Sequence, residues 1–147
     1  MRIPAKVIPG YGVASGKGGD PRYKDGTIKL QIPHFLVRGL DLTSYFPGTL
    51  NVDVAPKKFK VVKPKYSFEK VDWSEHISPE NFFFFDVIVY YNDTAHQGLI
   101  YMPDPSTKEQ HTQRPTTLEL ILPKIQNLIY GSSVEIEIVE DQMLFTD

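Results

Sequence analysis

Cysteine is absent from this chain, no long apolar run occurs in it, and its charges nearly cancel. Without cysteine there is neither a disulfide framework nor a thiolate metal site, and a reducing, cytoplasmic setting is expected. No stretch approaches the roughly 20 apolar residues that a membrane-spanning helix needs, so no membrane partner is expected. Met1 to Pro9 carries charges but no apolar run of signal-peptide length. The formal net charge of −2 gives no overall drive toward nucleic acid or anionic lipid. His34, His76, His96 and His111 are scattered without metal-ligand spacing, and no Gly-x-Ser-x-Gly nucleophile motif occurs.

What is present points to a β protein. The 147 residues suit one domain, taken as 1–147, with enough chain to bury a core. Hydrophobic residues make up 41%, with nine Phe and eight Tyr, while twelve Pro and ten Gly predict many turns and few long helices. Val7 to Ser15 reads as a strand, followed by a loop forced by Gly16, Gly18, Gly19 and Pro21. A turn at Lys24 to Thr27 and the alternation of Ile28, Leu30 and Ile32 predict a hairpin over Arg22 to Ile32. His34 to Leu40 is the one helix candidate of the first half.

Further on, Thr49 to Val54 alternates. Lys57 to Phe68 reads as an extended edge whose lysines guard against edge pairing. Asp72 to Asn81 is expected to be a polar connection carrying Trp73. Phe82 to Tyr91 is the most apolar segment and reads as a buried strand, with Asn92-Asp93 as its turn and Gln97 to Met102 as the return. Pro103 to Pro115 is expected to be a loop. Thr117 to Leu122 reads as a strand or short helix stopped by Pro123, and Val134 to Ile138 alternates with one wet face. About seven strand-like runs at close spacing predict a closed barrel or a sandwich.

Three places could carry chemistry. Gly16 to Gly19 could cradle an anion with backbone N–H groups, although a plain turn is the commoner meaning of such a loop. It is not a Walker loop, because Tyr11 and Gly18 stand where that motif needs Gly and Ser or Thr. Thr49 and Asn51 share one strand face, so their neutral oxygens could help hold Mg²⁺ against substrate phosphates, or could simply form a polar patch. Glu119 lies between leucines, where a carboxylate could bind a ligand or accept a proton, or could face outward. The basic run Lys57 to Lys65 could touch nucleic acid, but a solvated edge suits the balanced charge better.

The order of these pieces resembles the archaeal-type CTP-dependent riboflavin kinases. Gly12-Val13-Ala14-Ser15-Gly16-Lys17-Gly18 is similar to that family's opening Gly-x-Val-x-Ser-Gly-x-Gly pattern. Arg22-Tyr23 matches an Arg-Tyr pair, Pro47-Gly48-Thr49-Leu50-Asn51 matches its most specific stretch, and Glu119 to Pro123 matches a late Glu-apolar-Pro element. The resemblance spans nearly the whole chain in serial order, ending with the strand at Val134 to Ile138. It implies a small closed six-stranded cradle-loop-type barrel with one or two short helices. It implies transfer of the γ-phosphoryl of CTP to the riboflavin 5′-hydroxyl, giving FMN.

Carried over residue by residue, Gly16, Lys17, Gly18, Gly19 and Arg22 would cradle the cytidine nucleotide, and Lys124, Ile125, Gln126 and Asn127 would line its base. Thr49 and Asn51 would be Mg²⁺ ligands, and Glu119 would be the catalytic and flavin-contacting carboxylate. A flavin-contacting Thr of the family falls at about His111, with Thr112 adjacent. Gly19-Asp20-Pro21 lengthens the nucleotide loop, and the segment between Pro123 and Val134 is short. The alternative expectation is therefore a non-catalytic barrel that binds a nucleotide, a flavin or a protein. The expected partners of the leading reading are small molecules, riboflavin or FMN and a cytidine nucleotide, and a monomer is expected.

Overall fold

The computed structural model describes residues 2–9, 27–104 and 116–147. Nine strands and one helix run in the order β1 (Arg2–Ile8), α1 (Thr27–Val37), β2 (Leu50–Asp53), β3 (Lys58–Val61), β4 (Tyr66–Val71), β5 (Glu80–Tyr91), β6 (Thr94–Pro103), β7 (Thr117–Ile121), β8 (Ser133–Ile138) and β9 (Met143–Thr146). Seven strands form one sheet in the order β4-β5-β6-β7-β2-β1-β8, and β8 also pairs with β5. Six strands, β5, β6, β7, β2, β1 and β8, therefore pair in a ring, with β4 attached outside it. Strands β3 and β9 make a separate two-stranded sheet. Among the described residues no helix is long and apolar enough to cross a membrane.

The ring encloses one apolar cluster and carries a second on its outer face. Ile3, Val7, Val52, Phe85, Val87, Val89, Ile100, Leu118, Leu120 and Ile136 belong to the first. The second gathers Ile28 and Phe35 of α1 with Phe68, Trp73, Phe82, Phe84, Leu99, Tyr101 and Ile121. This explains the run Phe82 to Phe85. Alternate side chains of a strand point to opposite faces, and here both faces are covered, one by the ring interior and the other by the helix. Fully burying one such side chain contributes about 1.5–3 kcal/mol.

Strand β5 has a divided edge. Residues Phe82 to Phe84 pair with β4, and Val87 to Tyr90 pair with β8. Asp86 sits at the fork, and its N–H donates to Oε1 of Gln142 at 2.7 Å. Nε2 of Gln142 donates back to Oδ2 of Asp86 at 3.0 Å. The other edge pairs with β6 over ten residue pairs, closed by Asn92 and Asp93 with φ of 49° and 60°. Two consecutive left-handed residues make the hairpin turn whose twist matches the strands.

Several sequence expectations are corrected. The strand expected over Ile28 to Ile32 is helix α1, and the helix expected at His34 to Leu40 ends at Val37. Ile28, Gln31, Ile32 and Phe35 form the inward stripe at helical spacing, while Leu30 is 41% exposed. The helix stops where N–H of Leu40 donates to C=O of Phe35 at 3.0 Å. Gly39 stands between them at φ 103°, the conformation glycine adopts most cheaply. The single extended edge expected over Lys57 to Phe68 is two strands in two sheets. Asp72 to Asn81 is no mere polar connection, since Trp73, Ile77 and Glu80 are buried. The start of β1 at Arg2 and the whole of β9 were not foreseen, and strand character in Val7 to Ser15 is described only through Ile8.

Candidate functional site

Antiparallel register sets the site. Asn51 of β2 stands opposite Glu119 of β7, Glu119 stands opposite Tyr101 of β6, and Ile8 of β1 stands opposite Asn51. Directly opposed residues project to the same face. That face is the outer one, because Tyr101 lies in the helix-side cluster and the intervening Val52, Leu118 and Leu120 fill the ring. Thr49 precedes β2 by one residue. Its Oγ1 donates to Oε1 of Glu119 across a long 3.5 Å contact. Thr49, Asn51 and Glu119 thus meet although 70 residues separate the hydroxyl from the carboxylate.

The surroundings are polar atoms held in an apolar setting. Asn51 is buried and Glu119 half-buried. The Tyr101 hydroxyl donates to Oε1 of Gln31, on α1, at 2.8 Å. Burial, and then the charges of Glu119 and Glu80, push the Tyr101 phenol well above its ordinary range, so it stays protonated and uncharged. The turn before Thr49 is anchored by N–H of Phe46, which donates to C=O of Leu122 at 3.0 Å. The start of β2 is thereby tied to the end of β7.

The strand directions gather several segments at one end of the ring. Strand β2 runs antiparallel to both β1 and β7. Where β2 begins, at Leu50, both β1 and β7 end. Lys124, Ile125, Gln126 and Asn127 follow β7 at that end. Lys124, Gln126 and Asn127 are exposed, and Ile125 packs on the ring core. C=O of Asn127 accepts from the Tyr91 hydroxyl at 3.0 Å. N–H of Gly131 donates to C=O of Val7 at 2.7 Å, which fastens the same connection to the end of β1.

Gly16, Lys17, Gly18, Gly19 and Arg22 lie outside the described residues, as do His111 and Thr112. The expected loop at Pro103 to Pro115 lies mostly outside them too. Strand β1 ends at Ile8, the partner of Asn51, so the chain leaves for the glycine-rich segment beside the Thr49–Asn51–Glu119 group.

The side-chain oxygens of Thr49 and Asn51, with the Glu119 carboxylate beside them, are hard donors of the kind Mg²⁺ takes. The set fits a cation whose remaining charge is met by phosphate. No group of three or more His, Cys, Asp or Glu side chains suited to a metal occurs among the described residues. Sequence reasoning missed Gln31, Tyr101 and Thr117, the last on the same face as Glu119 two residues before it. Gln31 carries a readable signal in its helical spacing to Ile28 and Phe35. No known family model matches the chain, and no curated protein matches it.

Proposed function

We propose that the chain is a riboflavin kinase of the CTP-dependent type, built on a closed six-stranded cradle-loop barrel. The observation that carries this reading is the meeting of Thr49, Asn51 and Glu119 on one face. Thr49 and Asn51 belong to one stretch of sequence and Glu119 to another far along the chain, and nothing local requires the two stretches to converge. The gathering of the β1 exit, the β2 entry and the 124–127 segment at one end of the ring supports it further.

Thr49 and Asn51 would hold Mg²⁺ through their side-chain oxygens. When bound, the ion offsets the charge of the triphosphate. Gly16, Lys17, Gly18, Gly19 and Arg22 would cradle the phosphates of CTP, and Lys124, Ile125, Gln126 and Asn127 would border the cytosine. His111 and Thr112 would contact the flavin. Glu119 would orient the ribityl 5′-hydroxyl and take its proton as that oxygen bonds to the γ-phosphorus. The bond from the γ-phosphorus to the bridging oxygen breaks in line, and CDP leaves. Most of the rate gain in such a site comes from positioning and charge neutralisation.

His111 in place of a threonine and Asp20 in the phosphate loop favour a second reading, a barrel that binds flavin or nucleotide without turnover. The test is conversion of riboflavin to FMN with Mg²⁺ and either CTP or ATP, followed by chromatography. FMN formed with CTP, and lost about 100-fold in folded Thr49→Ala and Asn51→Ala, is the expected result. Full activity in both variants would remove the metal assignment. Product with ATP alone would keep the kinase and reject the base contacts. Binding without product would leave the second reading standing.

A further inference from the structure

Strand β7 places Thr117 on the same face as Glu119, two residues earlier, opposite Asp53 of β2. Thr117 is 5% exposed. Its Oγ1 has no hydrogen-bond partner among the described residues and no solvent contact. It is the one buried side-chain N or O atom there in that condition. The backbone beside it is paired with β2, C=O of Thr116 accepting from N–H of Val54 at 2.9 Å.

A buried hydroxyl without a partner destabilises a fold, so unpaired ones are rare and call for an explanation. A strand position facing a packed surface tolerates valine, which has the same shape and no such cost. The orphan hydroxyl instead belongs to a residue on the Asn51–Glu119 face, one rung along β7 from Glu119, and the function proposed above assigns both of those side chains to ligands. We infer that Thr117 is a further ligand contact, whose hydroxyl pairs with a hydroxyl of a polyol chain, the ribityl chain of riboflavin. This inference rests on the riboflavin kinase reading and extends its site along β7 by one rung. The polyol offers a string of groups that both donate and accept, which is what one unpaired threonine hydroxyl needs. Because the hydroxyl is covered in this structure, the ribityl chain reaches it by displacing the atoms over it.

The experiment compares riboflavin binding, read by quenching of flavin fluorescence, with thermal midpoints for the unaltered chain, Thr117→Val and Thr117→Ser. Thr117→Val is expected to melt at the same or a higher temperature and to bind riboflavin about tenfold more weakly. Thr117→Ser keeps the hydroxyl and is expected to bind within about threefold of the unaltered chain. If Thr117→Val does not fold, Thr117→Ala carries the same comparison. A valine variant that binds riboflavin as tightly as the unaltered chain would overturn the inference and leave the kinase reading intact. An unaltered chain that does not bind riboflavin would overturn that reading, and this inference with it.

Discussion

Gly98 of β6 stands where no side chain fits. A Cβ there would lie 2.2 Å from the backbone oxygen of Ile121 and 2.6 Å from Cδ2 of Leu122. The first neighbour is backbone and cannot swing away, so Gly98→Ala must push β7 outward or break its approach to β6. We expect a loss of about 2–3 kcal/mol by denaturant titration, together with weaker ligand binding, because the displaced strand carries Glu119. An alanine variant as stable as the parent would show that the close approach is dispensable. At this scale the sequence was legible one residue at a time. Thr49, Asn51 and Glu119 each drew notice, but nothing local announces a contact across 70 positions. Thr117 drew none, since threonine at a strand start is an ordinary β-former.

At the scale of the element, the fork in β5 decides how the sheet is shared. One edge serves β4 first and β8 afterwards, and Asp86 between them takes its acceptor from Gln142. Gln142→Ala leaves that N–H without its partner. The expected cost is about 1–2 kcal/mol, with faster amide exchange at Asp86 and in β9, and little change in β6. Unchanged exchange at Asp86 would mean that another acceptor takes over. The elements themselves were unevenly legible. The paired strands β5 and β6 stood out because a long β-branched and aromatic run ends at an Asn-Asp turn. Helix α1 was hidden because Ile28, Leu30 and Ile32 fit a period of two. Ile28, Gln31, Ile32 and Phe35 fit 3.6 equally well, and only the covering of β5 by the helix chooses between them. Strand β9 is four residues long and pairs with β3, far away in the chain, which no local pattern records.

For the whole molecule, the two apolar clusters share their walls. Phe82 and Phe84 of β5 face the helix, while Phe85, Val87 and Val89 of the same strand fill the ring. Neither cluster can open without disturbing the other, so unfolding should be one cooperative event. Its dependence on alkali follows from Tyr101. The folded-state pKa of its phenol is raised, first by burial and then by Glu119 and Glu80. Below about pH 10 the phenol is protonated in both states, and its contribution is fully present. Above about pH 10 the unfolded chain ionises and the folded one does not, so stability falls by up to about 1.4 kcal/mol per pH unit. Denaturant midpoints of the unaltered chain should therefore drop more steeply above about pH 10 than those of Tyr101→Phe; parallel curves would refute the assignment. The mostly-β class was legible from composition and turn spacing, which left barrel and sandwich both open; six strands followed from the resemblance alone, and the return of β8 to β5 that makes them a ring is written in no local pattern.

Trp73, the single tryptophan of the sequence, is buried in the helix-side cluster with its Nε1 donating to Oε1 of Glu80 at 3.2 Å. The protein thus carries one indole, whose emission lies to the red of that of the eight tyrosines, and it looks at only one of the two clusters. Its emission reports the cover formed by α1, while circular dichroism is dominated by the strands. Superimposed melting curves from the two signals would express the shared wall of β5 optically, and an emission shift that runs ahead would time the departure of the helix from the ring.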